Sequence, residues 1–466
     1  MIEPVVITIA AIAVALGVIF SKNSFFALAK TTLTMLNAML ASDLDDDELQ
    51  QLLIRGVGGL LKSLFVFLIY ILCTAAVGFL ILWLYASFFD IEFSSIQFDS
   101  WMSILGMLIG GTVPFIVASY LSKEEDYSPW SKLLHHMSLD NYNVSKAGFR
   151  FEKSFYAKDF KNVNNRFVAV TGLARAGTTA MTKQLHSTGS FYSLSYSNMP
   201  FLLLPNLWKK LFSPKQAKET ERAHGDRVMV GVNSIEALDE FFFKAHLNDS
   251  YIGSGKLSEH ALPEELISDY YNYQTLVGKA NGFAERYITK NNNLMLRYQS
   301  LRKQNSDFDV ILMFRDPLSH AHSLLKQHQQ FSEMQRQDPF VLKYMDWLGH
   351  HEFGLNHMPF EFSENNFQSE FESHSINYWL DIWMNYYNFI LSLESDKKLY
   401  KVSYQDFLEE PNELLKVLEY KLEMKLNLNH IDQFVNTNQF DGEVDEAQLA
   451  KAHVIYNELL RQKLSY

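Results

Sequence analysis

The residues best able to do chemistry lie in one short stretch, Gly172-x4-Gly177-Thr178-Thr179, with Arg175 between the glycines. An apolar segment, Phe167 to Val170, enters this glycine turn, and a helix-forming segment beginning at Ala180 leaves it. Backbone N–H groups of such a turn and the positive end of the following helix can hold a phosphate group. Thr178 and Thr179 add hydroxyl donors, and Arg175 adds a cation. The glycine spacing matches a P-loop, but Thr178 stands where an NTP-cleaving loop carries its lysine. The stretch therefore reads as a phosphate cradle without the NTPase lysine.

A second stretch offers another anion seat. Phe308 to Phe314 has the pattern of a buried strand and runs into Arg315-Asp316-Pro317, with Ser323 one to two turns into the next helix. On residue type alone, Arg315 could equally cap its strand or pair with Asp316. A third stretch, Leu399 to Ser403, reads as a strand followed by Tyr404-x-Asp406 and a helix started by Pro411.

Together these stretches resemble the sulfotransferases that use 3'-phosphoadenosine 5'-phosphosulfate, over about residues 160–425. The resemblance is nearest to membrane-associated bacterial members, through Met199-Pro200-Phe201, the segment Glu221 to Asp226, and Gly349-His350-His351-Glu352-Phe353-Gly354. It implies a three-layer α/β catalytic domain with a P-loop-like parallel sheet. It also implies that Gly172, Arg175, Gly177, Thr178 and Thr179 bind the 5'-phosphosulfate and that Arg315 and Ser323 bind the 3'-phosphate. Arg175 would stabilise charge on the leaving phosphate, and the implied mechanism needs no metal. A His or Glu between the two motifs would act as general base. His224 and Glu236 are the candidates, followed by Glu240, with Glu236 and Glu240 expected one turn apart on a helix capped by Ser234. Two departures from the family stand out. Ala180 occupies a place where many members carry an aromatic residue, and the family's late glycine-rich loop is not evident.

Positioning these residues takes strands near 166–171, 308–314 and 399–403, with the ligand crevice at their carboxyl ends. The rest of the 466 residues needs a separate account. Pro4 to Phe20, an uncharged apolar run, is at the lower limit for a span; it reads as a first span rather than a signal-peptide core, because Met1-Ile2-Glu3 carries no positive charge. Leu64 to Ala86 and Trp101 to Leu121 are uncharged apolar runs of spanning length, and residues 25–40 could lie along a membrane. The expected organisation is a membrane domain over 1–122 with two to three transmembrane helices, a membrane-proximal linker over 123–160, and a catalytic domain over 161–466. Lys22, Lys30, Arg55 and Lys62 lie between the first two runs, and the loop 87–100 has no Lys or Arg. The positive-inside rule then faces the catalytic domain to the cytoplasm, which for a bacterial chain means the inner membrane.

Composition narrows the partners. A net charge of −12 argues against nucleic acid. Cys73 is the only cysteine, which excludes an intrachain disulfide and cysteine-based zinc sites. His320, His322 and His328 do not share one tight metal-binding face, and read as helix-surface or acceptor-pocket residues. The aromatic residues of 331–390 read mostly as core. The expected function is a membrane-anchored enzyme moving a sulfuryl group from 3'-phosphoadenosine 5'-phosphosulfate to a hydroxyl of a lipid or carbohydrate acceptor. The alternatives are an ATP-dependent P-loop kinase and a catalytically inactive membrane scaffold of the same fold.

Overall fold

The computed structural model describes residues 2–41, 46–121, 129–156, 166–211, 220–221, 229–230, 235–362, 367–428 and 442–465. The chain divides into two compact units, Met1–Val144 and Ser145–Tyr466.

The first unit is helical. Ile2–Met39 is one continuous helix, so the expected first span and the expected membrane-lying segment are a single element. Asp46–Phe88 and Trp101–Leu121 follow. The first two helices are long and apolar enough to cross a membrane, and Trp101–Val117 is a shorter apolar stretch. Small residues bring the helices close, as is usual between apolar helices. A Cβ at Gly17 would lie 2.2 Å from the Thr74 hydroxyl oxygen, and one at Gly106 would lie 2.3 Å from that of Thr8. Most large apolar side chains of Asp46–Phe88 face outward, among them Phe65, Leu72, Phe79 and Leu84. Where a linker was expected, the described residues form two helices, Pro129–Leu139 and Tyr142–Phe155.

The second unit is built on a five-stranded sheet in the order Phe191–Tyr192, Arg286–Lys290, Val168–Thr171, Asp309–Phe314, Leu399–Ser403. Every pairing is parallel. Both faces are covered, which is why the strands are buried along most of their length rather than alternating. On one face Val168, Val170, Ile288, Ile311, Met313 and Val402 meet Met181 and Leu185 of the helix Thr178–Ser187 and Leu414 and Leu418 of the helix Pro411–Leu422. On the other, Tyr287 donates to Asp239 at 2.6 Å, and Asp239 also accepts from Tyr270 of the helix Glu264–Asn281 at 2.7 Å. The result is the three-layer α/β arrangement that the sequence leads one to expect. Trp379 and Trp383 of the helix Ile376–Ser392 are fully buried, as core residues of this unit.

Candidate active site

The strand Val168–Thr171 ends at Gly172, where φ is 148° and a Cβ would lie 2.5 Å from the Met313 carbonyl oxygen. Only glycine lets the turn begin this close to its neighbouring strand. Gly177, at φ 98°, closes the turn and precedes the helix Thr178–Ser187, whose amino end has no side-chain cap. That end therefore presents backbone N–H groups to an anion. Between the glycines, Arg175 is held at φ 72°. A non-glycine residue there carries a strain of about 1–2 kcal/mol, and such strain gathers at functional positions.

Two contacts fix the turn from outside. Tyr404, just past the strand Leu399–Ser403, brings its ring against Gly177, where a Cβ would fall 2.4 Å from Cδ2. His320, fully buried on the helix Pro317–Gln337, places Nε2 2.7 Å from the Ala174 carbonyl oxygen. Burial, aided by the nearby charges of Arg315 and Arg175, pushes the His320 imidazole down to about 3. The ring is thus neutral and holds the turn as a hydrogen-bond donor. The sequence pattern alone suggests a helix-surface or acceptor-pocket histidine. A buried partner contributed from nearly 150 residues away leaves no signal in helical spacing.

The second motif meets the first directly. Asp309–Phe314 delivers Arg315 to its carboxyl end, and Asp316 caps the next helix by accepting from the Ser319 N–H at 2.9 Å. Ser323 is buried on that helix, and Arg175 Nε donates to Ser323 Oγ at 3.2 Å. Arg315 Nε donates to Ser319 Oγ at 3.2 Å, and its guanidinium lies 5.2 Å from the centre of the Tyr404 ring. Burial lowers the Arg315 pKa; Tyr404 and Asp316 oppose the shift, and the charge of Arg175 adds to it. Two guanidinium groups that feel one another at the carboxyl ends of adjacent strands form a positive centre suited to an anion. The structure therefore brings Gly172, Arg175, Gly177, Arg315 and Ser323 together. Thr178 is buried, with its hydroxyl a long 3.4 Å from Asn292 Oδ1, and Thr179 follows it in the first helical turn.

The general-base candidates fare differently. His224 and Ser234 lie outside the described residues. Glu236 and Glu240 do not share a helix, because helical structure begins at Glu240. Glu236 is buried in an ion pair with Lys290 at 2.9 Å. Glu240 accepts from Arg297 at 2.7 Å, from Asn291 at 3.0 Å and from Tyr251. Burial would raise the Glu240 carboxyl, but Arg297 and the other donors hold it below its usual value. Glu240 is a buried anchor, not an available base. Among the described residues no group of three or more His, Cys, Asp or Glu side chains is arranged to hold a metal ion.

No protein-family model matches the chain, and no curated protein matches it. Solved structures do. The chain is similar to sulfotransferase STF1 of Mycobacterium tuberculosis at 13% identity and TM-score 0.38, over 74% of this chain and 85% of that one. It is similar to sulfotransferase STF9 of Mycobacterium avium at 14% identity and TM-score 0.37, over 79% of this chain and 85% of that one. A sulfotransferase of Alicyclobacillus acidocaldarius matches at 11% identity and TM-score 0.29, over 65% of this chain and 98% of the other. These three solved proteins are sulfotransferases, and the likeness is one of fold.

Proposed function

We propose that the unit Ser145–Tyr466 is a sulfuryl transferase that takes 3'-phosphoadenosine 5'-phosphosulfate as donor and a membrane lipid or glycan hydroxyl as acceptor. The observation that carries the proposal is the 3.2 Å hydrogen bond from Arg175 to Ser323. It joins a lysine-free phosphate turn to a distant serine, with Arg315 alongside. A nucleotide with phosphates at both its 5' and 3' positions would use both ends of such a site, and ATP would use one. The turn's N–H groups, Thr178, Thr179 and Arg175 would hold the 5' end, with Gly172 and Gly177 allowing the backbone to approach. Arg315 and Ser323 would hold the 3'-phosphate.

In the transfer, the sulfur forms a bond to the acceptor oxygen as its bond to the 5'-phosphate oxygen breaks. The electron pair leaves with that phosphate, where Arg175 meets the growing negative charge. The acceptor hydroxyl loses its proton to a base in the site. The apolar helices of the first unit support an acceptor that resides in or at a membrane, and the distribution of lysine and arginine supports a cytoplasmic catalytic unit.

Thermal protection tests the donor. Adenosine 3',5'-bisphosphate should raise the unfolding temperature of the solubilised chain well above the shift given by ATP with Mg²⁺ at equal concentration. Equal or greater protection by ATP would favour a kinase and sink the proposal. Incubating native membranes with radiolabelled donor, followed by mass spectrometry of the labelled species, would identify the acceptor.

A further inference from the structure

The segment Gly349–Gly354 is pinned to the strand beside the phosphate turn. Asn292 and Asn293, in a run of three asparagines at the carboxyl end of Arg286–Lys290, do this. Asn291 donates its backbone N–H to the Val170 carbonyl at 3.0 Å and its side-chain amide to Glu240. Asn292 donates Nδ2 to Glu352 Oε1 at 2.9 Å, and its other amide atom is the one that faces the Thr178 hydroxyl. Asn293 donates Nδ2 to the Gly349 carbonyl at 3.1 Å. Gly349 has φ 71°, and a Cβ there would fall 2.7 Å from Cγ of Glu240, so the segment can lie this close only with glycine at that place.

A carboxylate–imidazole pair sits on this platform. Glu352 is buried, and its Oε1 lies 3.3 Å from His350 Nδ1. Its Oε2 is also buried, with no hydrogen-bond partner among the described residues. The His350 side chain is 24% exposed. Once His350 is protonated, its charge and hydrogen bond, with the Asn292 amide, hold the buried Glu352 carboxyl at about 2, against the burial that would raise it. An ionised carboxylate on Nδ1 selects the tautomer with the proton on that nitrogen. Nε2 is then the basic atom, and Glu352 stabilises the imidazolium once Nε2 is protonated. Glu236 and Glu240, by contrast, neutralise Lys290 and Arg297.

We propose that His350 is the general base that takes the acceptor's proton, and that Glu352 and Asn292 are positioning residues that orient its ring and tie it to the phosphate turn. This rests on the sulfuryl-transfer reading of the same site. Nε2 takes the proton of the acceptor hydroxyl as that oxygen bonds to sulfur and the sulfur–phosphate oxygen bond breaks. The imidazolium then returns the proton to water. The products are a sulfate ester, adenosine 3',5'-bisphosphate and a proton.

The test uses the full chain in native membranes, with two readouts: transfer of labelled sulfate, and thermal protection of the solubilised protein by adenosine 3',5'-bisphosphate. His350→Gln should keep the protection and lose transfer by about a hundredfold or more. Added imidazole should restore part of the transfer to His350→Ala. Glu352→Gln should lower kcat by about tenfold or more and leave the KM for the donor unchanged, a split that a merely structural role would not give. Full transfer by His350→Gln overturns the base assignment and leaves the donor reading standing. So does the absence of imidazole rescue in a His350→Ala protein that still binds the bisphosphate. A wild-type chain that is not protected, or is protected and transfers nothing, overturns the sulfuryl-transfer reading and the base with it.

Discussion

Gly177→Ala probes the phosphate turn from its most crowded point. Gly177 sits at φ 98°, where an alanine carries about 1–2 kcal/mol of strain. Its new Cβ would lie 2.4 Å from Cδ2 and 2.6 Å from Cε2 of Tyr404. Carbon atoms in ordinary contact stand about 3.5–4.0 Å apart, so the ring must move by about 1 Å. That ring underlies the Arg315 guanidinium at 5.2 Å, a cation–π contact worth about 0.5–2 kcal/mol. Strain and lost contact together come to about 1.5–4 kcal/mol, or about ten- to a thousandfold in affinity. The free protein can relieve the strain by flattening the turn, and a bound phosphate must restore the turn against it. Calorimetric titration of the solubilised chain with adenosine 3',5'-bisphosphate should therefore show binding weakened by that factor. Gly189→Ala is the matched control, because Gly189 has φ 77° with nothing within 4 Å of a new Cβ. It should lose stability and keep its affinity. Wild-type affinity in Gly177→Ala, or an equal loss in Gly189→Ala, would refute the reasoning.

Arg175→Met should lower sulfate transfer by about 3–4 kcal/mol, several hundredfold, in the labelled-donor assay; a loss below tenfold would remove Arg175 from the leaving-group role. Glu152 gives a pH dependence. Burial, opposed by the N–H groups of Asn206 and Leu207, raises its carboxyl from 4.5 to about 7. The folded state then holds the proton more tightly than the unfolded one. The associated stability is complete below pH ~4.5 and is lost as pH rises through ~7, a change of at most about 3 kcal/mol. Glu152→Gln keeps an acceptor for both N–H groups, so denaturant titration at pH 8 should find it more stable than wild type, and an unchanged midpoint would contradict the shift. Ser94→Cys, in a Cys73→Ser background, should react with a membrane-impermeant maleimide added outside intact cells. Reaction only after permeabilisation would reverse the proposed orientation.

The glycine turn was legible because its elements are local: two glycines, a strand before them and a helix after. The same holds for Asp309–Phe314 and Leu399–Ser403, whose apolar runs survive burial on both faces. Arg286–Lys290 was missed, although it lies beside the central strand. It begins and ends with cations, and what makes them tolerable in a buried strand is distant in sequence. Arg286 pairs with Asp309 at 3.2 Å, and Lys290 pairs with Glu236 at 2.9 Å. The same distance in sequence misled the reading of the acids. Glu236 and Glu240 look like neighbours on a helix face until Lys290 and Arg297 arrive from elsewhere and give each a separate task. Gly349–Gly354 stood out as a motif, but its pairing with Asn292 and Asn293 could only be read in three dimensions.

The helix Asp46–Phe88 has 43 residues, and at about 1.5 Å per residue it is about 65 Å long. A hydrocarbon layer is only about 30 Å thick. Standing upright in a bilayer, such a rod would leave close to half its length in water, and the half that carries Arg55 and Lys62 is the polar one. Those two cations would then form a collar near anionic headgroups, anchoring the depth of the rod by charge as well as by greasiness.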